Sequence, residues 1–136
     1  MKLNVTFKTK QAIDLEAHPP GEELAQRIAA TLRAKGIDVG EIDNHNDFAW
    51  SIDCQLGGHK PWLLVGYVND DPYDWLALVN SGYGFVASKL LRKSDLPARE
   101  RLAVVLNEAL AQDTEVHDVR WHQGEFGDGW SATPSG

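Results

Sequence analysis

The strongest constraint on the fold is a stretch of strands, residues 48–79, in which two strands carry apolar residues on both faces. A strand that is covered on one face alternates between apolar and polar positions, because successive side chains point to opposite faces of the sheet. Residues 62–68 and 75–79 instead carry Leu, Val, Trp, Tyr or Ala at almost every position. Such strands need cover on both faces. A chain of 136 residues with two evident helices readily covers one face, so the second face needs another source of cover.

Turn signals divide this stretch into a three-strand antiparallel meander over residues 48–80. The first strand, residues 48–56, alternates between apolar and polar positions. Gly57 and Gly58 then allow the positive φ angles that a tight hairpin requires. Asn69-Asp70-Asp71-Pro72 predicts a second turn, because Asn, Asp and Pro each favour turn conformations.

Two amphipathic helices are predicted, over about residues 21–35 and 97–112. In the first, Leu24, Ile28 and Leu32 recur every four residues and form one apolar face. In the second, Pro97 suits the first helical position, where its missing N–H has no partner to lose. Residues 85–93 are ambiguous, because their spacing also permits a short helix.

These elements predict an α+β two-layer sandwich, in which the two helices lie on one face of an antiparallel sheet. An N-terminal strand over residues 2–9 and a C-terminal strand over residues 116–122 join the meander, with the order of the edge strands left open. We expect one domain over residues 1–123 and an irregular tail over 124–136, where glycine and proline are frequent.

The composition excludes several classes of partner. A net charge of −7 disfavours nucleic acid and anionic lipid, because both are bound mainly through Lys and Arg. No apolar stretch approaches the roughly 20 residues of a membrane-spanning helix. Residues 1–7 lack the apolar core of a signal peptide, and Cys54 is the single cysteine. We therefore expect a cytoplasmic protein that binds neither nucleic acid nor membranes.

The charge is unevenly distributed along the chain. Residues 37–88 contain eight acidic residues and one basic residue, a net charge of −7. Residues 89–101 contain five basic residues and two acidic ones, a net charge of +3. We therefore expect a molecule with separate acidic and basic regions, which suits either solubility or the steering of a charged partner.

No catalytic signature is present, so the chain is interpreted as non-enzymatic, with no catalytic residues, no metal and no cofactor. The motifs of phosphate-binding loops and of α/β-hydrolase nucleophiles are missing, and Gly82-Tyr83-Gly84 lacks the third glycine of a dinucleotide fingerprint. Cys54 lies on the apolar face of its strand, where burial makes a thiol inert. The five histidines are scattered and none form an i, i+4 pair on a helix.

The densest group of chemically capable side chains is the turn at residues 70–75. Exposed aromatic side chains make good contact anchors, and nearby carboxylates would steer a basic partner. A solvated turn is the competing interpretation. Together with one tryptophan from the preceding strand, this turn supplies the predicted partner-binding residues, which are Asp70, Asp71, Tyr73, Asp74, Trp75 and Trp62.

Three sources could cover the second sheet face. The tail could fold back with Phe126 and Trp130, the segment 85–93 could pack there, or another chain could bind as a homodimer or as a different protein partner. In its element order the chain resembles small acidic bacterial proteins that bind other proteins, such as immunity proteins and secretion chaperones. This resemblance implies a protein-binding module. The alternative is a small-molecule binder or minor enzyme with a Trp/Tyr-lined pocket between the sheet and the helices.

Overall fold

Six strands and two α-helices make up the fold in a computed structural model of the chain. The structure describes residues 1–10, 20–70, 73–84, 86–124 and 129–136, without the side chains at 69, 70 and 73. The elements are, in chain order, β1 (Asn4–Thr9), α1 (Glu22–Ala34), β2 (Asp38–His45), β3 (Ala49–Gln55), β4 (Trp62–Asp70), β5 (Tyr73–Asn80), a π-helical turn (Val86–Leu90), α2 (Leu96–Gln112) and β6 (Val116–His122).

The six strands form one antiparallel sheet in the order β2-β3-β4-β5-β1-β6. Strands β2 to β5 are a meander, and β1 lies between β5 and β6, which answers the open question of edge order. Both helices pack against this open sheet, so the α+β two-layer sandwich is confirmed. The predicted limits of the two helices and of β6 agree with the structure to within one residue.

The meander has a fourth strand that the sequence analysis missed. β2 lies at the edge of the sheet, and most of its side chains are exposed. Val39 pairs with Cys54 and Ile42 pairs with Ile52. Between these two pairs β2 has two residues and β3 has one, so β2 contains a bulge. Such a bulge breaks the period of two by which strands are recognised. The polar segment at residues 43–47 is therefore mostly strand, and the turn itself lies at Asn46 and Asp47, which both have positive φ.

The core lies between the helices and one face of the sheet. Leu32 of α1 and Leu102 and Leu106 of α2 are fully buried against the strands. Burying a leucine side chain contributes about 1.5–3 kcal/mol, which explains why the helical period of the apolar residues predicts both helices well. The strand residues that complete this core include Val5, Phe7, Ile52, Leu63, Val65, Ala77 and Trp121.

The C-terminal residues run along the β6 edge. Trp121 and Ser131 exchange two backbone hydrogen bonds, at 2.8 and 2.9 Å, and the Lys2 amide donates to the Pro134 carbonyl at 2.7 Å. Trp130 is 49% exposed and lies under the guanidinium of Arg120, 4.7 Å from its ring centroid. Phe126, the other residue considered for covering the second face, lies outside the described residues.

No helix in the described parts of the chain is long and apolar enough to cross a membrane.

Candidate interaction surface

The second sheet face is more shielded than its sequence suggests. On this face Leu64 is 8% exposed, and its neighbours Leu76 and Leu78 are half-buried. Val68 is 38% exposed and lies near the end of β4. Within the described residues, the sheet face is therefore not where the most exposed aliphatic side chains lie.

The turn at residues 70–75, which the sequence predicts to bind a partner, does not expose its tryptophan in the structure. Asp70 and Tyr73 pair across the β4–β5 hairpin, Asp74 is half-buried, and Asp71 lies outside the described residues. Trp75 is only 3% exposed, because its ring stacks near Phe7 and its indole N–H donates to the Thr9 hydroxyl at 3.0 Å. Its indole is therefore part of the core in this conformation, which removes the exposure that a contact anchor needs.

Trp62 lies at the opposite end of the same hairpin. It pairs with Asn80, whereas Trp75 pairs with Tyr67, so the two tryptophans are about five residues or roughly 17 Å apart along the strands. Trp62 faces the second side of the sheet, where its indole N–H donates to the Ser81 carbonyl at 3.1 Å. The structure therefore does not bring the predicted turn residues and Trp62 into one site.

A surface loop that follows β5 carries the most exposed aliphatic side chains of the described chain. We call it the apolar loop, residues 86–96. Leu90 is 71% exposed and Leu91 is 63% exposed, and the π-helical turn buries none of its residues. The segment 85–93 therefore does not cover the second sheet face with these side chains. The other exposed apolar residues of this loop are Val86 (59%) and Leu96 (43%).

Basic residues alternate with these apolar ones. Lys89, Arg92 and Lys93 are all exposed, and Arg92 has a φ of 55° that turns the chain sharply after the π-helical turn. The loop therefore exposes aliphatic side chains that are flanked by positively charged ones. This is the basic region that the charge distribution predicts for residues 89–101.

Asp95, which is fully buried, joins the base of the apolar loop to Gly82. We call this junction of Asp95 with Gly82 the neck. One carboxylate oxygen accepts the Gly82 amide N–H at 2.8 Å, and the other accepts the Arg99 guanidinium N–H at 2.8 Å. The Ser81 side chain also acts to lower the pKa of this carboxyl group. Burial by itself would raise the pKa of Asp95, but these hydrogen bonds and the charge of Arg99 outweigh it and hold the pKa below its ordinary value.

The other side of the neck packs against the turn between β3 and β4. A Cβ atom at Gly82 would overlap the carbonyl oxygen of Lys60, so this close approach requires glycine. The Tyr83 hydroxyl and His59 Nδ1 are hydrogen-bonded at 3.0 Å. The neck is therefore held from both sides, and the loop is fixed in position relative to the sheet.

An acidic cleft of about 500 Å³ lies beside this neck. It opens between the start of β2, the end of β3 and the start of β4. Its charged residues are predominantly acidic and exposed, and the neck residue Gly82 forms part of its wall. Its principal lining residues are Asp38, Glu41, Asp53, Lys60, Trp62 and Gly82.

The Cys54 thiol is not activated, and the described residues contain no cluster of metal ligands. Cys54 is 1% exposed, and burial, reinforced by the negative charge of Asp53, raises the pKa of its thiol to about 12. A thiol with that pKa stays protonated at neutral pH and is a poor nucleophile. In the described part of the chain, no three His, Cys, Asp or Glu side chains converge as metal ligands do.

The sequence analysis did not predict an exposed loop here, because it treated residues 85–93 as a possible cover for the second sheet face. The only signal in the sequence is that Leu90 and Leu91 stand among the basic residues Lys89, Arg92 and Lys93. The spacing that permits a short helix over residues 85–93 does not tell whether the leucines are buried or exposed. What the sequence could not reveal is that Asp95 and Gly82 hold this segment away from the core.

Comparisons of the chain with protein-family models, with curated proteins and with solved structures each found no match.

Proposed function

We propose that this protein is a non-enzymatic protein-binding module and that the apolar loop is its main contact surface. One observation carries the proposal: four large aliphatic side chains are 43–71% exposed within eleven residues of a loop whose neck is firmly held. This proposal keeps the function expected from the sequence and moves the contact surface away from the turn at residues 70–75.

Exposed leucines have a physical cost that binding would relieve. Each leucine transferred from water into an apolar contact contributes about 1.5–3 kcal/mol before the costs of association are subtracted. Leu90 and Leu91 together could therefore supply a large share of the energy of a modest interface. Because the neck fixes the loop, little conformational entropy is lost when it docks.

The basic residues around these leucines select the kind of partner. Lys89, Arg92 and Lys93 would accelerate association with an acidic surface and disfavour a basic one. We therefore expect a partner whose apolar contact area is bordered by carboxylates.

The experiment compares three immobilised proteins as baits against extract from the source cell. The first is the unmodified chain, the second carries Leu90→Asp and Leu91→Asp, and the third carries Val68→Asp as a control. Val68 is 38% exposed and lies near the end of β4, whereas the apolar loop follows the end of β5 that pairs with Trp62 at the start of β4.

We expect the unmodified chain and the Val68 variant to capture the same protein, whether that is another protein or a second copy of this chain. The leucine variant should capture at least tenfold less of it. Equal capture by all three baits would contradict the proposed surface, as would equal loss from both variants.

A small-molecule binder is the second candidate, and an aromatic cluster favours it. Trp50 and Tyr67 are half-buried beside Trp75, and the Tyr67 and Trp75 ring centroids are 5.3 Å apart at the sheet–helix boundary. A thermal-shift screen of metabolites tests this candidate, because a ligand bound only to the folded state raises its apparent stability. A hit that persists in a Tyr67→Ala variant would not belong to this cluster.

A further inference from the structure

We propose that the partner is a second copy of this chain, in a twofold dimer where the apolar loop of each protomer lies in the acidic cleft of the other. This inference rests on the proposed function, because it uses the same loop as the contact surface. It adds the identity of the partner and the site on that partner.

The loop and the cleft are neighbours on one side of the molecule. Gly82 connects the two, since its amide N–H donates to Asp95 at the base of the loop and the residue also lines the cleft. When two complementary features lie side by side, a twofold axis between them brings each feature against its complement in the second copy. Both contacts then form at once, and the assembly closes at two protomers.

The charges of the two features are opposite. The loop exposes Lys89, Arg92 and Lys93, which are all basic. The cleft exposes three carboxylates, from Asp38, Glu41 and Asp53, together with the cation Lys60. The Arg33 guanidinium lies beside it and donates to the Gly40 carbonyl at 3.0 Å. These opposite charges favour contact between the loop of one protomer and the cleft of the other, and they fix the position of the loop in the cleft.

The apolar parts are also compatible. The cleft volume of about 500 Å³ falls within the roughly 300–1,000 Å³ of pockets that enclose small ligands, so it can accept leucine side chains. Trp62 lines the cleft and offers an aromatic surface to them. The loop and cleft together are at the small end of protein interfaces, so we expect a dissociation constant on the order of micromolar.

Charge reversal tests this dimer more sharply than salt does. The whole chain carries −7, so added salt weakens both the local attraction and the overall repulsion between copies. The loop variant is Lys89→Glu with Lys93→Glu, which avoids the positive φ of Arg92. The cleft variant is Asp38→Lys with Glu41→Lys, on an exposed edge strand that tolerates lysine.

Sedimentation velocity from 1 to 200 μM gives the outcome. We expect the unmodified chain to dimerise and each variant alone to be monomeric over this range. An equimolar mixture of the two variants should dimerise again, because each reversed loop then meets a cleft of opposite charge. A Glu22→Lys, Glu23→Lys protein has the same charge change as the cleft variant but lies at the start of α1, and it should dimerise like the unmodified chain.

Several results would overturn the inference. A monomeric unmodified chain at 200 μM would do so, as would variants that dimerise separately or a mixture that stays monomeric while both variants show a native circular dichroism spectrum. The proposed function fails separately. If the unmodified chain is monomeric but a different protein is captured in a manner that depends on Leu90 and Leu91, the module stands and only the dimer is lost.

Discussion

At the scale of single residues, glycines decide where backbone and rings approach each other closely. Gly21 precedes α1 with a φ of 108°, and a Cβ atom there would lie 2.6 Å from the Trp75 ring. The sequence explains only the first of these two requirements, because a glycine before a helix is a familiar turn residue. The second requirement, space for the Trp75 ring, arises only because the fold places β5 beside the start of α1.

Replacing Gly21 with alanine should therefore destabilise the fold by about 2–4 kcal/mol, since a disfavoured backbone angle is combined with overpacking against Trp75. Gly36→Ala is the matched control, because Gly36 also has a positive φ, 88°, but a Cβ atom added there would have nothing within 4 Å. We expect about 1–2 kcal/mol for Gly36→Ala, measured by urea denaturation. Equal losses in the two variants would show that contact with Trp75 contributes nothing.

At the scale of elements, the β5–α2 connection combines a firmly held neck with an exposed tip. Asp95 directly precedes α2, yet its carboxylate turns back to Gly82 and Arg99 and caps no helix N–H. The sequence offers Asp95 as an ordinary helix-start residue, and only the tertiary structure shows that it closes the loop.

Asp95→Asn should lower stability by about 1–3 kcal/mol at pH 7, because the Gly82 and Arg99 donors lose a buried, charged acceptor. The pKa of Asp95 is lowered in the folded state, so its contribution is complete above the ordinary carboxyl pKa of about 3.9. It is lost as the pH falls through the lower folded pKa, because the unfolded chain takes up the proton first.

Urea denaturation from pH 7 to pH 2.5, with hydrogen exchange at the Gly82 amide, measures both effects. Asp118→Asn is the control, because Asp118 is exposed and pairs only with His117 among the contacts described, and it should change stability by less than about 0.5 kcal/mol. If the stability difference between Asp95→Asn and the unmodified chain does not shrink in acid, the assigned role of the carboxylate is wrong.

At the scale of the whole molecule, the C-terminal residues tie the two ends of the chain together. Ser131 and Pro134 hydrogen-bond Trp121 and Lys2, and the Lys2 ammonium donates to the Ser131 hydroxyl at 2.7 Å. Asn4 donates to the Gly124 carbonyl. The tail thus supports β1 and β6, although it was expected from its composition only as an irregular segment.

Removing residues 124–136 should therefore cost about 2–5 kcal/mol, since each lost hydrogen bond contributes about 0.5–1.5 kcal/mol. Urea denaturation measures this loss, and hydrogen exchange at the amides that pair β6 with β1 reports whether the edge loosens. Trp130→Ala is the control that removes only the contact with Arg120, and we expect a loss of about 0.5–1 kcal/mol. A truncated chain as stable as the full chain would show that the tail is dispensable for the fold.

The sequence allowed much of the fold to be predicted, but less of the candidate surface. The helices and β3 follow from periodicity, since burial of one face leaves a regular apolar spacing. Strands β4 and β5 follow instead from short apolar runs that end at turn residues. β2 was missed because its bulge breaks that spacing between Val39 and Ile42. Trp75 was placed at the surface because an aromatic residue beside three carboxylates has the composition of a contact turn, whereas strand register turned its ring into the core.

By itself, the sequence determined the class of fold, the separation of acidic and basic regions and the absence of the common catalytic motifs, because these depend on local spacing and on composition. Tertiary structure alone decided which apolar residues remain exposed. Leu90 and Leu91 are no more polar than the leucines of the core. They lie in solvent on a loop whose base is held by contacts between Asp95, Gly82 and the Lys60 backbone, which only the folded chain brings together.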